Sequence, residues 1–256
     1  MPVRTALAAA ASPWVTAQLA GPRRPAQVLA RGRSALYLEV GGACVGLLAR
    51  AAVRVPIGLR LDVAEVPEPG AHVEIGDGAC ALHEMDVRVV RSVDVTVPRL
   101  PGLAGSALAQ LLLPGRDARV DFAYAELPAT ALAGLAAGEP EAVRQLLGRG
   151  SGLTPTGDDV LAGWLVARQA AGRPDAAVID AVGSCVRAAT SSLSATLLRR
   201  AAVGETVPEV RDLLRCLARH GVPVEELDRL LAVGSSSGAG LAIGVALGLA
   251  AGGAGS

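Results

Sequence analysis

DVRVVRSVDVTVPRLPG, residues 86–102, decides how the rest of the chain is read. From Asp86 to Val97 valines partly alternate with Arg, Ser, Asp and Thr, the period-two pattern of a long strand with one wet face. Pro98-Arg-Leu-Pro-Gly102 then stops it, because proline removes backbone donors and glycine turns the chain. This segment reads as a hinge.

Upstream, short apolar or alternating runs lie at 34–40 (SALYLEV), 43–49 (ACVGLLA), 55–63 (VPIGLRLDV), 72–75 and 79–82. The turn signals Gly41-Gly42, Glu68-Pro-Gly70 and Gly76-Asp-Gly78 separate them. That spacing predicts a small antiparallel β barrel or sandwich, with a helical turn at 14–19 before it. Downstream the periodicity is helical. Helices are expected at 104–113, 128–136, 140–147, 157–171, 174–198, 208–220, 224–232 and 238–251. Several open near a proline, and Gly172 and Gly221 follow two of them. The expected fold class is α+β: a β-rich domain over 1–100, then a mainly helical domain over 101–256.

The 256 residues suffice for a real core. All 24 basic residues are arginine, balanced by 24 acids, so the formal net charge is zero. Without lysine there is no Schiff base and no lysine nucleophile. The arginines are scattered and aromatics are scarce, which argues against a nucleic-acid surface of basic stripe and stacking platforms. Cys44, Cys80, Cys185 and Cys216 form no C-x-x-C pair and read as buried thiols of a reducing compartment. With only His72, His83 and His220 besides, no zinc spacing emerges.

Two stretches imitate targeting signals. Residues 1–20 carry Arg4 and an alanine-rich run, but the apolar part is weak and Pro13 interrupts it. Residues 230–256 hold no charge and reach the length of a membrane span. They are rich in Gly, Ala and Ser, with Gly234-Ser-Ser-Ser-Gly238 inside, so a buried helix is expected instead. The expectation is a cytoplasmic protein without a membrane segment.

Chemistry is suggested by Gly148-Arg-Gly-Ser-Gly-Leu-Thr-Pro-Thr-Gly-Asp-Asp159, which runs into the apolar stretch Val160–Ala167. Eight consecutive uncharged residues exclude an ordinary surface helix. Gly and Pro set an unusual backbone path, Ser and Thr offer ligands, and a helix start offers N–H groups. A simple structural reading exists: Thr156-x-x-Asp159 fits a capping box, and both aspartates suit the helix dipole. The loop supplies far more polar groups than a cap needs. Glycine-rich backbone at a helix start attracts phosphate or carboxylate, and Mg²⁺ held by Asp158 and Asp159 would reconcile such an anion with two carboxylates. Alternatively one aspartate caps while the other acts as base or orienting acceptor, with Asp158 nearer the ligand and Asp159 as cap and helper. The pattern is not a P-loop.

A second loop, Gly234-Ser-Ser-Ser-Gly-Ala-Gly-Leu-Ala-Ile-Gly244, likewise leads into an apolar small-residue helix. The two could converge on one ligand, or their glycines could merely permit close helix packing. Thr190 and Ser194 add hydroxyls within an expected helix, where such groups often bond back to the i−4 carbonyl. Candidate ligand-binding residues are therefore Gly150, Ser151, Gly152, Leu153, Thr154, Thr156, Gly157, Thr190, Ser194, Ser236, Ser237 and Gly238. Asp158 and Asp159 are the candidate catalytic or Mg²⁺-binding pair.

Gly150-x-Gly-Leu-Thr-Pro-x-Gly-Asp-Asp-x-Leu-Ala-Gly163, the 190–194 hydroxyl run with Leu197, Leu198, Ala201 and Gly204, and Gly234-x-Ser-Ser-Gly238 together resemble a bacterial family. It includes the AllH-type subunit of oxamate carbamoyltransferase. The resemblance covers about the C-terminal half. The chain departs from the family's habits at Ser191, where Asn is frequent, at Ser235, where His is frequent, and at Ala239-Gly240, where a polar or acidic residue is common. The resemblance implies purine (ureide, allantoin) catabolism, with phosphorolysis of oxalurate to oxamate and carbamoyl phosphate. It also implies that other protein subunits complete the enzyme. Gly150–Gly157 would then cradle phosphate or carbamoyl phosphate, and an arginine, Arg149 being nearest in sequence, would meet the oxalurate carboxylate. The competing expectation is a non-catalytic subunit that binds a small anion or nucleotide and docks on a catalytic partner.

Overall fold

The computed structural model describes residues 4–100 and 102–251, with only the backbone at Arg187. Residues 1–3 of the signal-like stretch, Pro101 of the expected hinge and residues 252–256 of the charge-free tail lie outside the described residues. The chain divides into two compact units, Met1–Val95 and Thr96–Ser256. The chemical motifs all fall in the second.

The first unit holds β1 (Thr5–Ala11), α1 (Pro13–Leu19), β2 (Arg24–Pro25), β3 (Gln27–Arg31), β4 (Ala35–Val40), β5 (Ala43–Leu48), β6 (Gly58–Leu61), β7 (Glu74–Gly76), β8 (Ala79–Leu82) and β9 (Met85–Ser92). They form one nine-stranded sheet in the order β2-β7-β8-β9-β1-β6-β5-β4-β3. The two edge strands, β2 and β3, are joined in sequence by Ala26 alone, so the chain itself draws the edges together. The sheet thereby curls into a nearly closed, barrel-like unit. Closure removes open edges that would otherwise pair with other chains. The barrel is not wholly antiparallel: β1 runs parallel to β9, and β5 parallel to β6.

Alternation builds the interior. Leu36, Leu38 and Val40 of β4 point inward with Val45, Leu47, Leu59, Ile75, Cys80, Leu82 and Val87. β1 has the sequence TALAAAA, whose alanines carry little strand preference, yet it sits at the centre of the sheet. Its neighbours, not its propensity, make it a strand. Ser12 caps α1, its Oγ accepting from the Val15 N–H at 3.4 Å. The expected long strand ends at Ser92 rather than Val97.

The second unit is helical: α2 (Ser106–Leu111), α3 (Ala118–Ala125), α4 (Ala129–Ala137), α5 (Glu141–Leu146), α6 (Thr156–Ala170), α7 (Ala176–Ala189), α8 (Ser192–Ala201), α9 (Pro208–Ala218), α10 (Val224–Leu231) and α11 (Ser237–Ala250). Residues 96–100 belong to it, with the Val97 N–H donating to Gly204 O and the Leu100 N–H to Ala170 O, both at 2.8 Å. α3 was not expected; Asp117 caps it. The single helix expected at 174–198 is two. Thr190 takes extended angles (φ −145°, ψ 176°), and Ser191 starts α8 by accepting from the Ser194 N–H at 3.1 Å.

α6 and α11 form the centre of this unit. α6 buries almost every residue from Thr156 to Ala167, and Trp164 is wholly enclosed. The two helices meet backbone to backbone. A methyl at Gly163 would strike the Leu241 carbonyl, one at Gly244 the Val160 carbonyl, and one at Gly248 would come 2.8 Å from the Trp164 carbonyl oxygen. Glycine at these places lets the uncharged stretch of α6 after Asp159 pack closely against the uncharged α11. Among the described residues no helix is long and apolar enough to cross a membrane.

Candidate functional site

The site begins with the path of the 148–155 loop. Gly148, Gly150 and Gly152 have φ of 71°, 98° and 99°, the left-handed region that side chains resist. A methyl at Gly150 would also lie 2.8 Å from the Thr156 nitrogen and 2.9 Å from Glu126 Oε2. The loop is thus forced to run close over the start of α6, and residues 150–153 stay exposed on its outer side.

Asp158 and Asp159 follow on the first turn of α6, where both are buried, with 2% and 6% of their surface exposed. Their surroundings differ. Asp158 Oδ1 accepts the Gly148 N–H at 2.8 Å, and Oδ2 accepts the Thr190 hydroxyl. Asp158 therefore ties the loop to the α7–α8 break. Burial raises its pKa above the ordinary carboxylate range, against the pull of Thr190, Gly148 and Ser194. Asp159 Oδ2 is buried with no hydrogen-bond partner among the described residues. Burial pushes Asp159 up to about 8; the Ser237 and Thr154 hydroxyls pull it down, and the Asp158 charge pushes it further up. A shift in that direction favours the protonated carboxyl of Asp159 at neutral pH.

The capping-box reading does not hold. Pro155 is the N-cap of α6 and no side chain caps it. The Thr156 hydroxyl instead donates to Glu126 Oε2, while Glu126 Oε1 accepts the Ser151 N–H at 3.0 Å. Burial works to raise the Glu126 pKa, but these bonds outweigh it and hold the carboxyl below its usual range. Glu126 is the residue the sequence did not disclose. It stands alone between Ala125 and Leu127, and only the fold brings it to the loop.

The three separated landmarks meet here. The Thr154 and Ser237 hydroxyls are 2.8 Å apart, joining the first loop to the start of α11. Thr190 reaches Asp158, and the Ser191 hydroxyl donates to Leu153 O at 3.3 Å. Ser194 is buried on the first turn of α8, and Ser236 is the buried N-cap of α11. Gly238 packs against the Leu230 backbone, and Gly157 against that of Leu146. A methyl at Gly240 would sit 2.8 Å from the Asp159 Cβ, so α11 approaches the buried acid closely here. Of the hydroxyls expected in mid-helix, Thr190 lies at the break. The i−4 back-bond is made by Thr196, which donates to Ser192 O at 2.7 Å.

Two expectations need restating. The opening N–H groups of α6 are already engaged: Gly157 donates to Arg149 O at 2.8 Å, and Asp158 and Asp159 donate to Pro155 O at 2.9 and 3.2 Å. Donors for an anion are therefore to be sought in the exposed loop and not on α6 itself. Arg149 Nε donates to Gln145 O at 3.2 Å, which draws this arginine back along α5. For Mg²⁺ the pair offers little free coordination, because both Asp158 oxygens already accept hydrogen bonds, from the Gly148 N–H and the Thr190 hydroxyl. Among the described residues no three His, Cys, Asp or Glu side chains gather as a metal set.

These observations define a class: an α+β protein whose helical unit buries two adjacent carboxyl groups beneath a glycine-rich loop, Asp158 tied to that loop and Asp159 with one oxygen unpartnered among the described residues. A family model described as oxamate carbamoyltransferase subunit AllH matches residues 146–249, and over that span the chain is AllH-like. The matched span contains Asp158, Asp159 and all three converging landmarks. No solved structure matches the chain significantly.

Proposed function

We propose that the chain is a subunit of an oxamate carbamoyltransferase-type enzyme. Its reaction would be phosphorolysis of oxalurate in purine-derived ureide breakdown. The observation that carries this reading is the convergence of three AllH-like segments on Asp158 and Asp159.

The chemistry suits a protonated acid. A phosphate oxygen attacks the carbamoyl carbon of oxalurate, the C–N bond breaks, and the departing oxamate nitrogen needs a proton. Asp159 would supply it and regain a proton from the attacking hydrogen phosphate, which loses its own on becoming carbamoyl phosphate; a pKa of about 8 lies close to working pH. Thr154 and Ser237 would orient the acid, and Asp158 would hold the loop in place. The loop N–H groups of Gly150, Gly152, Leu153 and Thr154 would receive the anion, the Ser151 N–H being held by Glu126. Substrate would reach Asp159 only by opening the Thr154–Ser237 contact.

A second reading has its own support. Asp159 is sealed and Asp158 is fully engaged, which also suits a rigid, non-catalytic subunit that presents its exposed loop to a catalytic partner. Leu153, 61% exposed at the loop's tip, would then be part of the docking surface.

The test is carbamoyl phosphate formation from oxalurate and phosphate by the chain, alone and with co-purified partners, with and without Mg²⁺. Asp159→Asn is expected to lower kcat at least a hundredfold, on the scale of general acid catalysis. Turnover unchanged in both Asp158→Asn and Asp159→Asn would sink the catalytic reading. Partner binding lost in Leu153→Asp with turnover absent in the free chain would establish the docking reading.

A further inference from the structure

The barrel unit lies outside the AllH-like span and has a concavity of its own. A cleft of about 370 Å³ is lined by Arg50, Arg54, Arg60, Arg91 and Asp62, over a floor that includes Leu48 and Leu61. We propose that this cleft is a binding site for a compact polyanion, a small molecule bearing phosphate groups or several carboxylates.

Charge is the first argument. The whole chain is neutral, yet four guanidiniums and a single carboxylate share this one recess. Arg50 is paired with Asp62 at 2.7 Å, an ion pair open to solvent that leaves the recess strongly positive. Gathering like charges around a concave surface is unfavourable unless an anion balances them, and converging guanidiniums offer the forked donors that phosphate and carboxylate accept. Arg54 and Arg91 stand in the recess beside that pair, so a ligand with two negative charges matches it.

Preorganisation is the second. The arginines come from separate strands and a connecting segment: Arg60 from β6, Arg91 from β9, and Arg50 and Arg54 from the 49–57 connection. That connection is not loose. The Arg50 N–H donates to Val63 O at 3.0 Å, Ala52 to Ala49 O at 3.0 Å and Val55 to Val53 O at 2.9 Å. The buried Ser12 hydroxyl donates to Pro56 O at 2.9 Å, pinning the far end. Arg60 Nη2 donates to Arg54 O at 3.4 Å, directing that side chain toward the connection. The recess therefore exists before any ligand arrives, which keeps the ordering cost of binding low.

The experiment is calorimetric titration of the full chain with inorganic pyrophosphate and, separately, with citrate. Binding of either, weakening as salt is raised, is expected. Tighter pyrophosphate identifies a phosphate ligand, and tighter citrate a polycarboxylate. Arg54→Gln combined with Arg91→Gln, both at exposed positions, should weaken binding at least tenfold without lowering Tm. Asp62→Asn, which removes the recess's carboxylate, should tighten it at least twofold. Binding of neither anion, or binding indifferent to the paired arginine substitutions, overturns the proposal.

Discussion

Asp158 and Asp159 are adjacent in sequence and do opposite things. Residues i and i+1 diverge by about 100° around a helix, so one turns toward Gly148 and Thr190 and the other toward Ser237. Asp158 satisfies two donors that would otherwise be stranded at a buried corner. Asp158→Ala should therefore destabilise the protein by about 2–3 kcal/mol. Asp158→Asn should cost clearly less, since its amide oxygen can still accept from Gly148 and its NH₂ can donate to the Thr190 oxygen. Urea denaturation of the two variants tests this, and equal losses would mean that the tie does not hold the loop. The pair was visible in the sequence as an unusual doublet after a glycine-rich loop. Which aspartate is the tie and which the buried acid was not, because that depends on Thr190 and Ser237, residues 32 and 78 positions away from Asp158 and Asp159 respectively. Glu126 was invisible for the same reason.

At the scale of elements, the contact between α6 and α11 governs the helical unit. Gly163, Gly244 and Gly248 allow the two backbones to touch, so a single methyl has nowhere to go. Gly244→Ala should destabilise by roughly 2–4 kcal/mol, overpacking outweighing the gain of about 1 kcal/mol in helix propensity. Gly183→Ala on α7, where nothing lies within 4 Å, should instead stabilise by about 0.5–1 kcal/mol. Thermal melting of both variants measures the contrast, and two substitutions with the same sign would refute close packing as the reason for glycine in α11. Both central helices were legible because they lack charge for two turns or more. The break at Thr190 was not, since Ala189-Thr-Ser-Ser-Leu keeps a helical look; it is Asp158 accepting the Thr190 hydroxyl, and the Ser191 Oγ accepting the Ser194 N–H, that divide it. β1 was missed because an alanine run becomes a strand only between β9 and β6, while β4, β5 and β8 announced themselves by alternation and turns.

For the whole molecule, the opposed shifts of its buried acids predict an unusual pH profile. Asp86 is buried, which works against its charge, but Arg4, Arg23 and Arg88 outweigh burial and lower its pKa. Arg119 holds Asp117 at about 2, and the Thr156 and Ser151 bonds lower Glu126. Groups lowered in the folded state contribute stability above their unfolded pKa of about 4 and lose it as pH falls further. Asp159, raised to about 8, and Asp158, also raised, act in the other sense. Their contribution is complete below pH about 4 and is lost as pH rises, because the unfolded chain releases protons that the folded chain retains. Cys44, Cys80 and Tyr37, all raised to about 12 by burial, extend that loss into alkali. Stability should therefore peak in mild acid, near pH 5, and decline toward pH 8 by at most about 1.4 kcal/mol per pH unit for each proton the folded chain retains. Denaturation midpoints between pH 3 and 9 would trace the curve. Asp159→Asn should flatten the limb between pH 5 and 8 and leave the acid limb intact, because Asp86, Asp117 and Glu126 remain. Parallel profiles for the variant and the natural sequence would show that Asp159 is ionised in the folded protein at neutral pH, and the proton it is proposed to deliver to the oxamate nitrogen would have to come from elsewhere.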